Sequence, residues 1–315
     1  MRRPLSHLVR EELIMSKNIY WHLPGFCYFK NLNTAIIELM REYRNCFYEG
    51  YRIGSVYGTF PGAIWNGGRT VLGFTSKNDV QTVLKNYNSK NVPVRFTWTN
   101  PLIEEKHLSD TLCNMIMREA DNGMNQVLVN SPVLENYLRE NYPNFKFISS
   151  TTKRIKDLDT LKAELDKDYF MVVLDYDMNH NEEVLKSLEP VAERVEILVD
   201  EICFPDCPKR LDHYRDEAEK QLEFDVAKPF PCPNRQQTKS FEGDCMKRPH
   251  FISREEIGQY IERGYENFKL VGRGLPQQLA LDSYLYYLVK EDDRDFIMNQ
   301  IYKKVTEMNR QAQRR

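Results

Sequence analysis

The stretch VLVNSPVLENYLRENYPNFKFISST, residues Val127–Thr151, contains one complete strand–helix–strand unit. Val127–Val129 has the β-branched character of a buried strand, and Lys146–Ile148 follows as the next strand. Between them Ser131 precedes Pro132, the order typical of a helix N-terminus, where a capping side chain comes before a proline in the first helical position. The stretch therefore predicts two parallel strands joined by a helix.

This rhythm of strands and helices continues on both sides of the unit. The four strand predictions near residues 128, 147, 172 and 197 are centred about 19 to 25 residues apart, the spacing of minimal strand–helix units. The predicted strands are Arg52–Tyr57, Val92–Trp98, Val127–Val129, Lys146–Ile148, Phe170–Leu174, Val195–Val199 and Phe268–Val271. The other predicted helices are Asn78–Tyr87, Glu104–Ala120, Ile155–Leu165, Glu182–Leu188, Leu211–Leu222, Ser253–Gly264 and Pro276–Val289. Parallel strands joined by helices are covered on both faces or closed into a barrel.

We therefore predict an α/β protein with a TIM-like (β/α) barrel, complete or incomplete, and a cysteine-bearing insertion loop near its C-terminal rim. Residues 1–14 are expected to form a loosely ordered N-terminal extension, and Met15 offers a second start of translation. Residues 15–290 are expected to form one barrel domain, with the cysteine loop at 201–250. Residues 291–315 are expected to form a charged C-terminal helix or tail.

Composition limits the classes of function. The 315 residues are 41% hydrophobic, which is enough for a folded core, and the formal charge is −2, which gives no bulk electrostatic reason to bind nucleic acid. No apolar run approaches 18 residues, and the N-terminus has no secretory signal. We expect a cytoplasmic protein with no membrane segment, in which the seven cysteines are thiols or metal ligands rather than disulfides.

Polar residues follow several predicted strands directly, where the functional sites of barrels assemble. The candidate substrate-contacting residues are Asn130, Asp175, Asp200, Glu201 and Arg273. Polar residues at these positions are also expected for purely structural reasons, because they stabilise turns and strand ends. Asp175 and Asp177 are a candidate carboxylate pair, and both are equally typical of a solvated turn.

Four cysteines lie inside one proline-rich segment of 43 residues, with the spacing C-x3-C-x24-C-x12-C. They are Cys203, Cys207, Cys232 and Cys245. Thiolates are soft ligands that suit an iron–sulfur cluster or zinc, and the spacing alone does not separate the two. Ordinary unliganded thiols are a third reading. His213 and His250 flank the segment as candidate ligands or proton donors, while His22 is more typical of an aromatic core strand.

Several segments resemble the collagenase-like peptidase family, peptidase family U32. They are VPVRFTWTNPLIEE at Val92–Glu105, the stretch Val127–Thr151, EILVDEICFPDCPKR at Glu196–Arg210 and FKLVGRG at Phe268–Gly274. The resemblance implies a TIM-like barrel and, in members with four cysteines, a 4Fe-4S cluster with a role in hydroxylating RNA bases or quinone precursors. It would make Cys203, Cys207, Cys232 and Cys245 the cluster ligands. The spacing departs from the family, because here the first cysteine pair is tight and the last is wide.

These observations lead to one hypothesis and two alternatives. The hypothesis is an iron–sulfur barrel enzyme that modifies, for example hydroxylates, a small molecule or an RNA base, with a redox partner. The first alternative is a non-catalytic binding protein whose loop is held by structural zinc, and the second is a metal-free, peptidase-like hydrolase. No G-x-S-x-G or H-E-x-x-H motif supports a serine or zinc peptidase. The substrate and the oligomeric state are left open.

Overall fold

The computed structural model describes residues 18–232, 240–272 and 274–314. Eight parallel strands form a closed barrel in chain order. The strands are β1 (Ile19–Pro24), β2 (Tyr51–Gly58), β3 (Val94–Trp98), β4 (Gln126–Val129), β5 (Lys146–Ser149), β6 (Met171–Val173), β7 (Val195–Leu198) and β8 (Asn267–Lys269). The predicted TIM-like barrel is thus confirmed, and it is complete.

Helices alternate with these strands, as the sequence rhythm predicts. They are α1 (Lys30–Glu42), α2 (Lys77–Asn88), α3 (Thr111–Ala120), α4 (Pro132–Asn141), α5 (Leu158–Leu165), α6 (Glu182–Leu188), α7 (Arg210–Glu223), α8 (Arg254–Glu262), α9 (Gln277–Leu288) and α10 (Arg294–Gln313). The segment between β7 and β8 holds both α7 and α8, and this segment carries the four clustered cysteines.

The barrel closes where the first strand pairs with the last. Trp21 of β1 lies beside Phe268 of β8, and the backbone N–H of Leu270 donates to the carbonyl of His22 at 3.1 Å. Neighbouring strands β3 and β4 pair in the same parallel sense, with Phe96 beside Val127. Since these pairings leave no sheet edge, every strand has two hydrogen-bonded neighbours.

Successive side chains along each strand point to opposite faces of the barrel wall, so they form two separate hydrophobic clusters. Val127 and Val129 of β4 point outward and join the large cluster under the helices, whereas Leu128 between them joins a small apolar cluster inside the barrel. The other members of that inner cluster are Ile148, Met171, Val173, Tyr176 and Leu198. The rest of the interior is polar, and its residues are described with the site below.

Two predicted helices begin later than the hydrophobic pattern suggests, because a capping aspartate marks the true start. Asp110 accepts the backbone N–H of Cys113, so α3 begins at Thr111 rather than at Glu104. Asp157 likewise caps α5, which begins after the left-handed residue Arg154. The Ser131–Pro132 start predicted for α4 is observed.

The charged C-terminal segment forms α10 and packs on the barrel. Ile297 and Ile301 are buried, and Lys304 bridges Glu38 and Glu42 of α1 at 3.2 Å and 2.8 Å. The predicted N-terminal extension at residues 1–14 lies outside the described residues. Among the described helices, none combines the length and the hydropathy needed to cross a bilayer.

Candidate functional site at the mouth of the barrel

A small cavity of about 80 Å³ opens at the carboxyl ends of the strands. We call it the mouth cavity. Its floor is formed by residues of the five strands β2, β3, β4, β7 and β8, and its walls come from the loops after β2, β5 and β7. The polar residues that line it are Tyr57, Arg69, Thr97, Thr99, Ser150, Thr151, Thr152, Glu201, Arg210, Tyr214 and Lys269.

The charge of this lining is mainly positive. Arg69, Arg210 and Lys269 contribute three cations, and among the lining residues Glu201 is the one carboxylate. Five hydroxyl groups from the ends of β3 and β5 surround them. Guanidinium, ammonium and hydroxyl groups are the donors that bind carboxylate and phosphate oxygens, so the mouth cavity has the chemistry of an anion site.

Arg210 is a buried cation of the cavity with two nitrogens that lack a hydrogen bond within the described part of the chain. It is only 5% exposed, yet its Nε and Nη2 have no hydrogen-bond partner among the described residues. The guanidinium lies 5.7 Å from the ring centroid of Tyr176 and 5.5 Å from that of Tyr214. Glu201 and Tyr176 interact electrostatically with Arg210, and an anionic oxygen in the cavity would supply acceptors for the two nitrogens that lack a hydrogen bond to the described residues.

Arg69 reaches the mouth cavity from the long loop after β2. This loop passes so close to β3 that a Cβ on Gly67 would lie 2.3 Å from the carbonyl of Thr99. The backbone N–H of Gly67 donates to the carbonyl of Thr97, and the side chain of Asn66 donates to the carbonyl of Arg69 at 2.6 Å. The close approach requires glycine and sets the position of the arginine.

The same loop is tied to α7. The hydroxyl of Thr70 donates to a carboxylate oxygen of Glu217 at 2.8 Å, and the backbone N–H of Val71 donates to the side chain of Gln221 at 2.7 Å. Arg69 and Arg210, which are far apart in sequence, are therefore held on facing parts of one hydrogen-bonded unit.

Lys269 rises from the barrel interior to the cavity floor. Its ammonium lies 3.3 Å from Glu196 and 4.4 Å from the centroid of the Tyr57 ring. Burial opposes the ionisation of Glu196, but the charges of Arg95 and Lys269 hold its pKa well below the usual range. The carboxylate is therefore ionised, and it supports the positive charge of the lysine from below.

Beneath Lys269 a hydrogen-bonded layer fills the lumen. Arg95 pairs with Glu196, donates from Nε to Gln126 at 2.8 Å and lies 3.0 Å from the Nδ1 of His22. That ring nitrogen is also 2.8 Å from the hydroxyl of Ser55. Burial and the charge of Arg95 lower the pKa of His22 to about 3, so the imidazole is neutral. The prediction of His22 as part of a core strand agrees with this location.

Among the predicted rim residues, Glu201 lines the cavity. Its carboxylate also accepts the backbone N–H of Cys203 at 2.9 Å. Asn130 lies one step away, because its amide donates to the hydroxyl of Thr152, which does line the cavity. Arg273 lies outside the described residues.

Asp175 and Asp177 share Arg154 as a partner. Arg154 lies 3.0 Å from Asp175 and also pairs with Asp177. Burial raises the pKa of Asp175 to about 6, although Arg154 opposes this shift. Asp177 also contacts Lys156 and lies 3.2 Å from the Nε2 of His250. These groups bind the turn after β6 to neighbouring loops, and none of them lines the mouth cavity.

Asp200 is a buried structural carboxylate. It accepts the backbone N–H of Val271 at 2.7 Å and the hydroxyl of Ser283 at 2.8 Å. Burial raises its pKa to about 7 despite these hydrogen bonds. The side chain joins the ends of β7 and β8 to α9, behind the cavity wall.

The four clustered cysteines are free thiols in the structure. Cys203, Cys207 and Cys232 are half-buried, whereas Cys245 is buried in the outer core, where burial raises its pKa to about 12. In the described part of the chain, no three or more His, Cys, Asp or Glu side chains are arranged to hold a metal ion. The four-cysteine site therefore stays a prediction.

The flanking histidines have other partners. The ring of His213 stacks on Phe230 and lies 3.5 Å from Glu217, and His250 packs against Tyr176. Burial lowers the pKa of His250.

Sequence reasoning missed the cations of the mouth cavity. Lys269 had a detectable signal, since alternation within Phe268–Val271 places it on the opposite face from its apolar neighbours. For Arg69 and Arg210 no local pattern exists, because both lie in irregular segments or at a helix start.

A larger groove adjoins the mouth cavity. We call it the apolar groove; its cavity measures about 850 Å³ and it is lined mainly by apolar side chains. These include Cys27, Tyr28, Pro61, Val71, Leu72 and Leu275. Arg69 lines both the groove and the mouth cavity, and among the described residues it is the one charged side chain of the groove.

Comparison with known proteins supports the architecture. No protein-family model and no curated protein sequence matches the chain. A solved structure titled the U32 peptidase Mk0906 is similar, with a TM-score of 0.52 and 15% identity over 83% of this chain and 95% of that chain. At this identity the likeness shows the fold alone. The chain thus shares the barrel fold that its resemblance to the U32 peptidases implied.

Proposed function

We propose that this barrel is an enzyme that binds a small molecule through an anionic oxygen group, a carboxylate or a phosphate, in the mouth cavity. The observation that carries this proposal is the buried guanidinium of Arg210, whose Nε and Nη2 have no hydrogen-bond partner among the described residues. Arg69 and Lys269 add positive charge to the same cavity, which lies at the carboxyl ends of the strands, where barrel enzymes hold their sites.

Within the cavity Glu201 supplies the group for proton transfer. It is the one carboxylate among the lining residues, and it interacts electrostatically with Arg210. A substrate held by Arg210 would bring its reacting atoms near this carboxylate. Negative charge that develops when Glu201 removes a proton would be stabilised by the fixed cations of Arg69 and Lys269.

Anion binding is tested by thermal unfolding with inorganic phosphate and, separately, with acetate. A ligand that binds the folded state raises Tm, and the two ions distinguish a phosphate site from a carboxylate site. Arg210→Met is expected to abolish the shift, and Arg210→Lys to reduce it because the lysine lacks the guanidinium fork. Arg215→Met is the matched control, since Arg215 lies on the same helix with its side chain 67% exposed. Equal shifts in all variants would contradict the proposal.

Catalysis is tested with Glu201→Gln. The change removes the negative charge of the cavity, so we expect anion binding to be retained or tightened. Consumption of an anionic metabolite mixture, followed by NMR, should stop in this variant. A variant that still turns over the mixture would remove Glu201 from the reaction, and a wild-type chain that binds anions without turnover would favour a binding protein.

The finer hypothesis from the sequence, a 4Fe-4S enzyme that hydroxylates a small molecule or an RNA base, stays a separate prediction. Its support is the spacing of the cysteines and the family resemblance. The chemistry proposed for the mouth cavity uses only side chains of this chain and includes no step through a cluster.

A further inference from the structure

We infer that the molecule bound by the mouth cavity is amphiphilic, with an apolar portion that occupies the apolar groove. This inference rests on the proposed function and names the substrate class. The groove is large enough for such a portion, since its volume of about 850 Å³ lies within the range of small-molecule sites, whereas the mouth cavity of about 80 Å³ holds only a small polar group.

The chemistry of the groove indicates an apolar occupant. Pro61, Val71, Leu72 and Leu275 line it, and Tyr28, although 74% exposed, lies at its edge. Burying an apolar group here would remove both surfaces from water.

Arg69 connects the two sites. Its side chain lines the mouth cavity on one side and the groove on the other, and it is the one charged side chain among the described residues of the groove. A carboxylate or phosphate between Arg69 and Arg210 would leave its attached chain or ring pointing along the groove. A wholly apolar molecule would not satisfy Arg69, and a small inorganic ion would leave the groove empty.

Isothermal titration of the full chain with straight-chain carboxylates from acetate to decanoate tests this inference. Each added methylene that enters the groove should tighten binding about three- to fourfold until the groove is filled. Leu72→Asp places a hydrated carboxylate where the acid's apolar chain would pack, so the gain in affinity per added methylene should be lost. Phe74→Asp is the matched control, since it introduces the same carboxylate on the same loop at a side chain that is 87% exposed and outside the groove lining.

The outcomes separate the two proposals. Anion binding that is independent of chain length would overturn the inference and leave the proposed function standing. Absence of binding by every anion would overturn both. Decanoate binding that is unchanged in Arg210→Met would show adsorption without an anion site and would also overturn both. A dimer that decanoate dissociates, seen by light scattering, would identify a second copy of the chain as the occupant and overturn the inference.

Discussion

Arg95 of β3 and Glu196 of β7 form an ion pair across the lumen of the barrel, and both side chains are fully buried. The pair extends upward, because Lys269 lies 3.3 Å from the same carboxylate and reaches the floor of the mouth cavity. A charged layer in a barrel core costs desolvation energy that leucine or valine would not. Here that layer fixes the lysine where the proposed anion binds.

Glu196→Gln should therefore destabilise the fold strongly. The change leaves Arg95 and Lys269 buried without their carboxylate, which we expect to cost about 3–5 kcal/mol of unfolding free energy. Urea denaturation measures the loss. Glu219→Gln removes one partner of the exposed Arg215–Glu219 pair and should change stability by less than about 0.5 kcal/mol. If both substitutions changed the free energy of unfolding by similarly small amounts, Glu196 would not be needed to stabilise the buried charges of Arg95 and Lys269.

Asp200 gives the stability a pH dependence with a defined sign. Burial raises its pKa in the folded state to about 7 from an ordinary value of 3.8. Between these two values Asp200 is protonated more often in the folded state than in the unfolded state. Its contribution to the free energy of unfolding therefore falls as pH rises from about 4 to about 7, and it is constant above that.

Asp200→Asn should remove this fall. The amide can accept the N–H of Val271 and donate to the hydroxyl of Ser283, so the hydrogen-bonded geometry is preserved. We expect the variant to gain stability over the wild type as pH rises through that window, by up to a few kcal/mol, in parallel urea titrations. A difference between the two proteins that does not change with pH would show that the carboxylate ionises normally.

Gly67 and Gly258 should respond to alanine with opposite signs. A Cβ at Gly67 meets the Thr99 carbonyl at 2.3 Å, so Gly67→Ala should displace the loop that carries Arg69 and cost roughly 1–3 kcal/mol. Gly258 lies within α8 with nothing within 4 Å of its Cβ position, so Gly258→Ala should stabilise by up to about 1 kcal/mol. Thermal unfolding with and without phosphate measures both effects, and only Gly67→Ala should also weaken anion binding.

The four-cysteine prediction is tested by anaerobic reconstitution with iron and sulfide. If the cluster forms, the protein gains a broad visible absorption, and changing Cys203, Cys207, Cys232 and Cys245 to serine abolishes it. Cluster ligands are thiolates, and burial raises the pKa of Cys245 to about 12, so loading should be faster at higher pH.

Three other results are informative. Zinc without sulfide would favour the structural-zinc alternative. A serine variant with unchanged folding and activity would favour the metal-free hydrolase. A colourless protein without iron after reconstitution would contradict the cluster.

The sequence by itself determined the alternation of strands and helices and several of their ends. Apolar runs in Phe170–Leu174 and Val195–Val199 predict strands, and β6 and β7 lie within them. Ser131 and Ser253 cap α4 and α8 as predicted, because capping depends on residues three positions apart. Local chemistry suffices for features of this range.

Only the tertiary structure decided which side chains share a site. Barrel closure brings His22 within 3.2 Å of Asn267, which is 245 positions away in sequence, and the same closure gathers Arg69, Arg210 and Lys269 around one cavity. Asp175 and Asp200 follow strands just as Glu201 does, yet they turn into ion pairs and hydrogen bonds behind the cavity wall. A position after a strand fixes the height of a residue on the barrel, but loop packing fixes the direction in which its side chain points.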